Sequence, residues 1–365
     1  MKSSVCEGAD PKGTGHYKTG TGPVRIAVIG AGLIGLTHLK IIRRELLCEI
    51  VALVDPMPAA ATVAAEQGIP CFSDHVRMLE AVKPDGVVIA TPNALHVPVG
   101  LACAERGVHM LVEKPIADTV EAAQTLVEAA ERAGVELLVG HHRRYNPIIR
   151  KARDIIQSGG IGRLTAVTGQ CLMQKPENYF DMAWRRQAGG GPVLINMIHD
   201  IDNLRFVCGE IATVQAVSSN AVRGFAVEDT AAAIIGFANG ALATLTISDA
   251  VATPWSWDTT AGEVPYIRSY REICYFFAGT EGGLSLPKLQ LWSYKGEKGW
   301  GAQLSMDQHQ VDAADPQTMQ MRHFCRVIRG EEKPVITGAD ATRTLAATLA
   351  VKEAAETGCS VNVFG

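Results

Sequence analysis

From residue 24 onward, short apolar runs alternate with amphipathic stretches, and this alternation sets the first reading of the chain. Val24–Ile29 is β-branched and apolar except for Arg25 and runs into glycine, as a buried strand does. Leu36, Leu39, Ile42 and Leu46 then recur at helical spacing and predict a helix over 33–47. The same reading gives strands at 50–54, 69–72, 87–90, 108–112 and 135–139, separated by helices at 59–67, 75–82, 94–106 and 119–133. Ser73 or Asp74 is placed to cap the helix at 75–82, and Asp118 with Glu121 has the spacing of a capping box. Six buried strands alternating with helices predict a doubly wound parallel sheet, an α/β domain of Rossmann type.

After Tyr145 the pattern changes. A helix over 147–157 leads to a strand over 163–173, and a helix is expected at 193–207. Residues 211–250 then alternate apolar and polar in three runs, with Asn239-Gly240 as a hairpin signal. Further strands are expected at 272–278 and 289–293, and helices at 317–329 and 339–356. This half reads as an α+β domain with a large, mostly antiparallel sheet. The chain thus divides into a flexible tail (1–22), a first domain (23–145) and a second (146–365), whose C-terminal helices are candidates to pack back on the first.

Composition narrows the function classes. The formal net charge is −4 and no basic block occurs, so nucleic acid and anionic membranes are poor partners. The chain holds no apolar run of about 18 residues, and residues 1–22 lack the apolar core of a signal peptide. Nine cysteines are scattered singly with no C-x-x-C pair, which predicts free thiols in a reducing compartment and hence the cytoplasm. No metal site is expected: His141 and His142 are adjacent, and on a strand would point to opposite faces.

The chemistry begins at Gly30-Ala31-Gly32-Leu33-Ile34-Gly35, which follows a strand and opens a helix. Gly30 permits the tight turn, Gly32 lets backbone approach a pyrophosphate, and Gly35 lets the helix pack on the sheet. Leu33 and Ile34 begin the helix, whose free N–H groups suit phosphate. Asp55 stands 20 residues beyond Gly35, at the end of the second strand, where a carboxylate would accept from adenosine ribose hydroxyls. No Arg or Lys follows within Pro56-Met57-Pro58, so NAD is expected rather than NADP. Three more loops leave the carboxyl ends of strands: Thr91-Pro92-Asn93 with His96, Glu113-Lys114-Pro115, and His141 to Tyr145. A cis peptide before Pro115 is an open option.

These residues, together with Gly189-Gly190-Gly191 followed by His199 and Asp202, resemble the glucose–fructose oxidoreductase / inositol dehydrogenase / MocA (Gfo/Idh/MocA) family. Glu228-Asp229-Thr230 and the Gly279-Thr280-Glu281-Gly282 turn add to the likeness, which covers residues 24–363. The resemblance implies a Rossmann domain plus an open-faced antiparallel sheet, and NAD(P)-dependent redox chemistry on a sugar, cyclitol or related polyol. It implies a homodimer or homotetramer packed through the second-domain sheet. It also implies Lys114 and His199 as the catalytic pair. One departure stands out: family members commonly carry Asp or Asn four residues before that histidine, whereas here the position is Ile195. Either the helix register is shifted, or Asn196 takes the polar role.

Hydride transfer from a carbinol needs a base on its hydroxyl. Histidine starts near the working pH, whereas lysine needs its proton affinity depressed. The reading is that His199 takes the proton while Lys114 hydrogen-bonds the same oxygen; the reverse assignment stays open. Asn196, Asp202, Tyr145, Trp255 and Trp257 are candidate substrate contacts. Asp202 lies one helical step from His199, so it either orients the imidazole or pairs with Arg205. Gly30, Gly32, Leu33, Ile34, Gly35, Asp55, Thr91, Pro92, Asn93, His96, Glu113, Lys114, Arg143, Trp184 and Arg185 are candidate cofactor contacts. The alternatives are a non-catalytic dinucleotide sensor on the same fold, and an NADPH-dependent reductase of another carbonyl or an imine.

Overall fold

The computed structural model describes residues 16–18 and 20–363. Six strands form a parallel sheet: β1 (Val24–Ile29), β2 (Cys48–Val54), β3 (Cys71–Phe72), β4 (Gly86–Ile89), β5 (His109–Val112) and β6 (Leu137–Val139). Their order, β3-β2-β1-β4-β5-β6, is the doubly wound Rossmann order expected from the alternation. The crossovers carry helices α1 (Leu33–Arg44), α2 (Pro58–Gln67), α3 (His75–Val82), α4 (His96–Ala104) and α5 (Val120–Ala133). Val28, Leu53, Val88 and Leu111 are fully buried, as strands covered on both faces must be.

Local chemistry sets the helix ends. Asp74 caps α3 by accepting from the Arg77 N–H. The expected Asp118 cap of α5 is not the one used; Thr119 Oγ1 accepts from the Ala122 N–H instead. Helix α1 stops at Arg44, short of the expected 47, and Leu46 lies exposed rather than on the buried stripe.

A second sheet holds ten strands, mostly antiparallel. They are β7 (Leu164–Gln174), β8 (Ile211–Ser219), β9 (Thr230–Phe237), β10 (Leu242–Ser248), β11 (Ala250–Trp255), β12 (Tyr275–Gly279), β13 (Gly282–Leu286), β14 (Gln290–Tyr294), β15 (Leu304–Gln308) and β16 (Val361–Asn362). Asn239-Gly240 turns β9 into β10 as expected, with Gly240 at φ +85°. β14 is the run expected at 289–293, and β13 and β15 extend the sheet beyond the expected runs. One face of the sheet is covered by α7 (Ile198–Cys208) and α10 (Gly338–Thr357); α6 (Pro147–Gln157) packs against α7, α8 (Trp257–Thr260) follows β11, and α9 (Pro316–Ile328) precedes α10. Val167, Leu245 and Ile235 meet Ile201, Leu204, Ala347 and Val351 in that core. The register puts Val217, Ile234, Leu242, Phe276 and Trp292 on the opposite, exposed face.

The chain forms two compact units. One takes the chain through Glu113, Gln124–Leu138 and Arg322–Thr337; the other takes Lys114–Ala123, Val139–Met321 and Gly338 onward. In the first unit Phe324 and Ile328 of α9 lie where a side chain on Gly86 would go. Residues 1–15 of the expected tail lie outside the described residues. Tyr17 and Lys18 are held in the first unit, by Glu136 and by Asp85.

Candidate active site

In the first unit the glycine loop sits at the point where strand order reverses, between β1 and β4. Gly30 has φ +102°, and a Cβ there would lie 2.4 Å from the Ala90 carbonyl oxygen. A Cβ on Gly35 would lie 1.9 Å from the Gly30 carbonyl oxygen, so both positions are closed to any side chain. A Cβ on Gly32 meets nothing within 4 Å. Gly32 is the N-cap of α1 and brings no capping side chain, and Leu33 and Ile34 are exposed. The helix N-terminus is therefore open to an anion.

Asp55 does more than the sequence suggested. Its Oδ2 accepts from the Ala31 N–H at 2.8 Å and its Oδ1 from the Met57 N–H at 2.8 Å. The carboxylate thus braces the glycine loop against the end of β2, and its remaining lone pairs stay available for hydroxyl donors. Thr91 Oγ1 is buried without a partner among the described residues. Pro92 and Asn93 continue the same loop, and the buried His96 closes it by bonding the Thr91 carbonyl at 3.0 Å. Glu113 lies 2.7 Å from Nε2 of His38, a fully buried residue of α1 that sequence reasoning passed over. Together, an open helix terminus, a cradle that tolerates only glycine and an orphaned hydroxyl suit a dinucleotide.

In the second unit, Lys114 precedes a cis peptide to Pro115 and donates from Nζ to the Ile195 carbonyl at 2.7 Å. That carbonyl belongs to a π-helical turn, Val193–Met197, which runs directly into α7. The extra residue of a π turn shifts helix register by one position. At position 195 it is thus the backbone oxygen, not a side chain, that holds Lys114. Asn196, one residue on, is half-buried, and its Oδ1 has no partner among the described residues.

His199 follows on α7, half-buried, with Nδ1 lacking a hydrogen-bond partner among the described residues. Burial, then the neighbouring Lys114, Arg143, His142 and His141, hold its proton affinity well below the usual histidine range. It is a neutral imidazole at pH 7. The ring of His142 meets it edge-on, with centroids 5.4 Å apart.

Several other candidates are placed elsewhere. Asp202 is buried in an ion network: Arg144 reaches both its oxygens, at 2.6 and 2.8 Å, and Thr344 donates to one of them at 2.8 Å. Burial opposes its charge, yet His141 and Arg144 bring its carboxyl down to about 2. Burial takes His141 down to about 4, so at pH 7 Arg144 is the charged partner. Arg205 pairs with Glu210 and Asp340 rather than with Asp202. Tyr145 is buried under the Arg150 guanidinium. Trp257 is fully buried and donates from Nε1 to Glu263 at 2.6 Å, so it is core rather than a sugar platform. Trp255 and Trp184 keep exposed faces.

Arg143 is buried between Asp258 at 2.8 Å and Asp200 at 3.4 Å, which spends its fork inside this unit. Arg185 stacks 3.8 Å over Tyr179 and donates to that residue's carbonyl. The pairing of His142 with Glu263 at 2.7 Å was invisible in sequence. Only the polar content of the loop after β6 hinted at it. Among the described residues no cluster of His, Cys, Asp and Glu is arranged to hold a metal.

Comparison with known proteins bears directly on this arrangement. Residues 24–141 match the oxidoreductase family description with an NAD-binding Rossmann fold, and residues 149–285 match the GFO/IDH/MocA C-terminal domain. The chain belongs to the GFO/IDH/MocA oxidoreductase family. Within it, the chain is 32% identical to the 1,5-anhydro-D-fructose reductase of Ensifer adhaerens over 76% of this chain and 80% of that protein. It is 27% identical to the NAD(+)-dependent scyllo-inositol 2-dehydrogenase of Bacillus subtilis over 93% of this chain and 96% of that protein. The fold is also that of the WlbA dehydrogenase from Bordetella pertussis, solved with NADH and UDP-GlcNAcA. That match has a TM-score of 0.78 at 23% identity and covers 93% of this chain and 98% of the other. As a GFO/IDH/MocA protein, the chain is an oxidoreductase with an NAD-binding domain, and the strand order and glycine loop are the structural basis of that membership.

Proposed function

We propose that the protein is an NAD-dependent dehydrogenase that oxidises a secondary alcohol of a sugar, cyclitol or related polyol, or runs that reaction in reverse. Bound NAD supplies the hydride acceptor. His199 takes the hydroxyl proton: it is neutral at pH 7, and Nδ1 has no partner among the described residues. Lys114 keeps its ammonium bonded to the Ile195 carbonyl and directs a second N–H at the alcohol oxygen, supporting the alkoxide as it forms. Asn196 and the exposed faces of Trp184 and Trp255 offer substrate contacts, while Asp55 receives the adenosine ribose and disfavours a 2′-phosphate.

The observation that carries this reading is the placement of His199, its Nδ1 without a partner among the described residues, on the helix that follows the turn whose Ile195 carbonyl holds Lys114. The test mixes the protein with NAD or NADP and a panel of inositols, aldoses, anhydrosugars and sugar acids, and follows absorbance of the reduced nicotinamide. Turnover with at least one polyol is expected, faster with NAD. Tight NAD binding with no turnover across the panel returns the sensor reading.

The exposed apolar face of the second sheet supports assembly as a homodimer or homotetramer, with a second copy covering Ile234, Leu242 and Phe276. Light scattering behind a sizing column reads the mass directly. The free thiols of the described cysteines support a cytoplasmic location.

A further inference from the structure

Beside the proposed base lies a second acid–base pair that the reaction as written does not use. His142 Nε2 is 2.7 Å from Glu263 Oε1. The other oxygen of Glu263 accepts from Trp257 Nε1 at 2.6 Å and from Asn146 Nδ2 at 3.1 Å. Trp257 is fully buried and Asn146 nearly so, which fixes the carboxylate in place. The His142 side chain is 19% exposed and that of Glu263 5%, so the pair is shielded rather than surface-screened. The other edge of the arrangement is His199, whose ring lies at 67° to that of His142 with centroids 5.4 Å apart.

We propose that His142, held by Glu263, is a positioning residue for His199: it fixes the base's imidazole edge-on and sets the charge against which that ring accepts a proton. The inference rests on the reading of His199 as base. Burial of Glu263 opposes its charge, but His142 brings its carboxyl down to about 2, so it stays a carboxylate across the working range at 2.7 Å from the His142 ring. The groups acting on His199 are Lys114, His141, His142 and Arg143, and all four disfavour its protonated form. Asp200, next to it on α7, is engaged by Arg143 and Tyr275. His142 is the member of this set whose ring meets that of His199 edge-on and is held by Glu263 at 2.7 Å.

Two readings on the full chain test this. In the first, His142→Gln and Glu263→Gln are compared with the parent in kcat–pH profiles for alcohol oxidation. His142 disfavours protonated His199, so in His142→Gln the ring keeps its proton to higher pH and the acidic limb moves up by about half a pH unit, estimated for a unit charge at this separation in water; Glu263→Gln moves it the same way by less, because the carboxylate's opposing charge is lost too. In the second, the His199 resonance is identified by its loss in His199→Asn and titrated by NMR in each variant, with an upward shift expected in both and the larger one in His142→Gln. The second variant keeps the side-chain volume and a donor–acceptor group at Glu263, so a fold defect in His142→Gln leaves the test intact. An NMR shift without turnover of any polyol upholds the pair and rejects the dehydrogenase reading. An unmoved His199 titration in both variants overturns the inference.

Discussion

Lys114 and Ile195 are joined by an ammonium-to-carbonyl hydrogen bond of 2.7 Å across 81 residues of sequence. The π turn that carries Ile195 gives the lysine a backbone acceptor, which no substitution at position 195 removes. Lys114→Met deletes the donor and leaves the glycine loop of the other unit intact. We expect kcat to fall by about 10²-fold to 10⁴-fold, with NAD affinity by calorimetry changed less than threefold. Full activity in that variant removes Lys114 from the reaction.

The three glycines of the loop separate fold from ligand. Gly35→Ala puts a methyl group 1.9 Å from the Gly30 carbonyl oxygen, so thermal stability and NAD binding should fall together, with a stability loss of about 2 kcal/mol or more. Gly32→Ala meets nothing within 4 Å and should unfold like the parent, within about 0.5 kcal/mol. Its NAD dissociation constant should nonetheless rise at least tenfold, because the methyl group occupies the approach to the pyrophosphate. Parent-like NAD binding by Gly32→Ala would falsify the assignment of this loop.

Asp55 both braces the loop and faces the ribose in the proposed complex. Asp55→Asn keeps an acceptor for the Ala31 N–H and removes the negative charge. The ratio of kcat/KM with NADP to that with NAD should rise at least tenfold, chiefly through a lower KM for NADP. An unchanged ratio places the ribose elsewhere.

Asp202 belongs to the buried network with Arg144 and Thr344, and its loss should be read in stability before substrate affinity. Asp202→Asn leaves Arg144 with Asp340 as its remaining acidic partner and should cost about 1.5–3 kcal/mol, the range for hydrogen bonds to a charged group. The native carboxyl lies at about 2, below the unfolded value near 3.9. The stability it contributes is therefore complete above about pH 4 and is lost as pH falls towards 2. Denaturant melts at pH 7 and pH 3 should show the variant's deficit narrowing at the lower pH. A rise in KM with parent-like stability would instead return Asp202 to the substrate.

What could be read from the chain and what could not divide along physical lines. Ile26, Val28, Leu53 and Val88 lie in the apolar stretches of their strands because both faces of the sheet are covered, and that pattern is local. The aromatic candidates fared differently. Trp255 and Trp257 are two residues apart and chemically identical, yet one keeps an exposed face while the other is fully buried against Glu263. Nothing in their spacing distinguishes a platform from a core anchor, because the difference is made by residues far along the chain.

The sequence by itself determined the alternation of strands and helices, the glycine loop, the leaning of Asp55 towards NAD and the likeness to the family, since periodicity, turn chemistry and motif spacing act over a few residues. Tertiary structure alone decided which polar groups meet. It paired His38 with Glu113 across 75 residues, gave Lys114 the Ile195 carbonyl through a π turn, spent Asp202 on Arg144, and set His142 between Glu263 and His199. Such pairings depend on where buried charges find compensation, and that is settled only when distant segments are packed together.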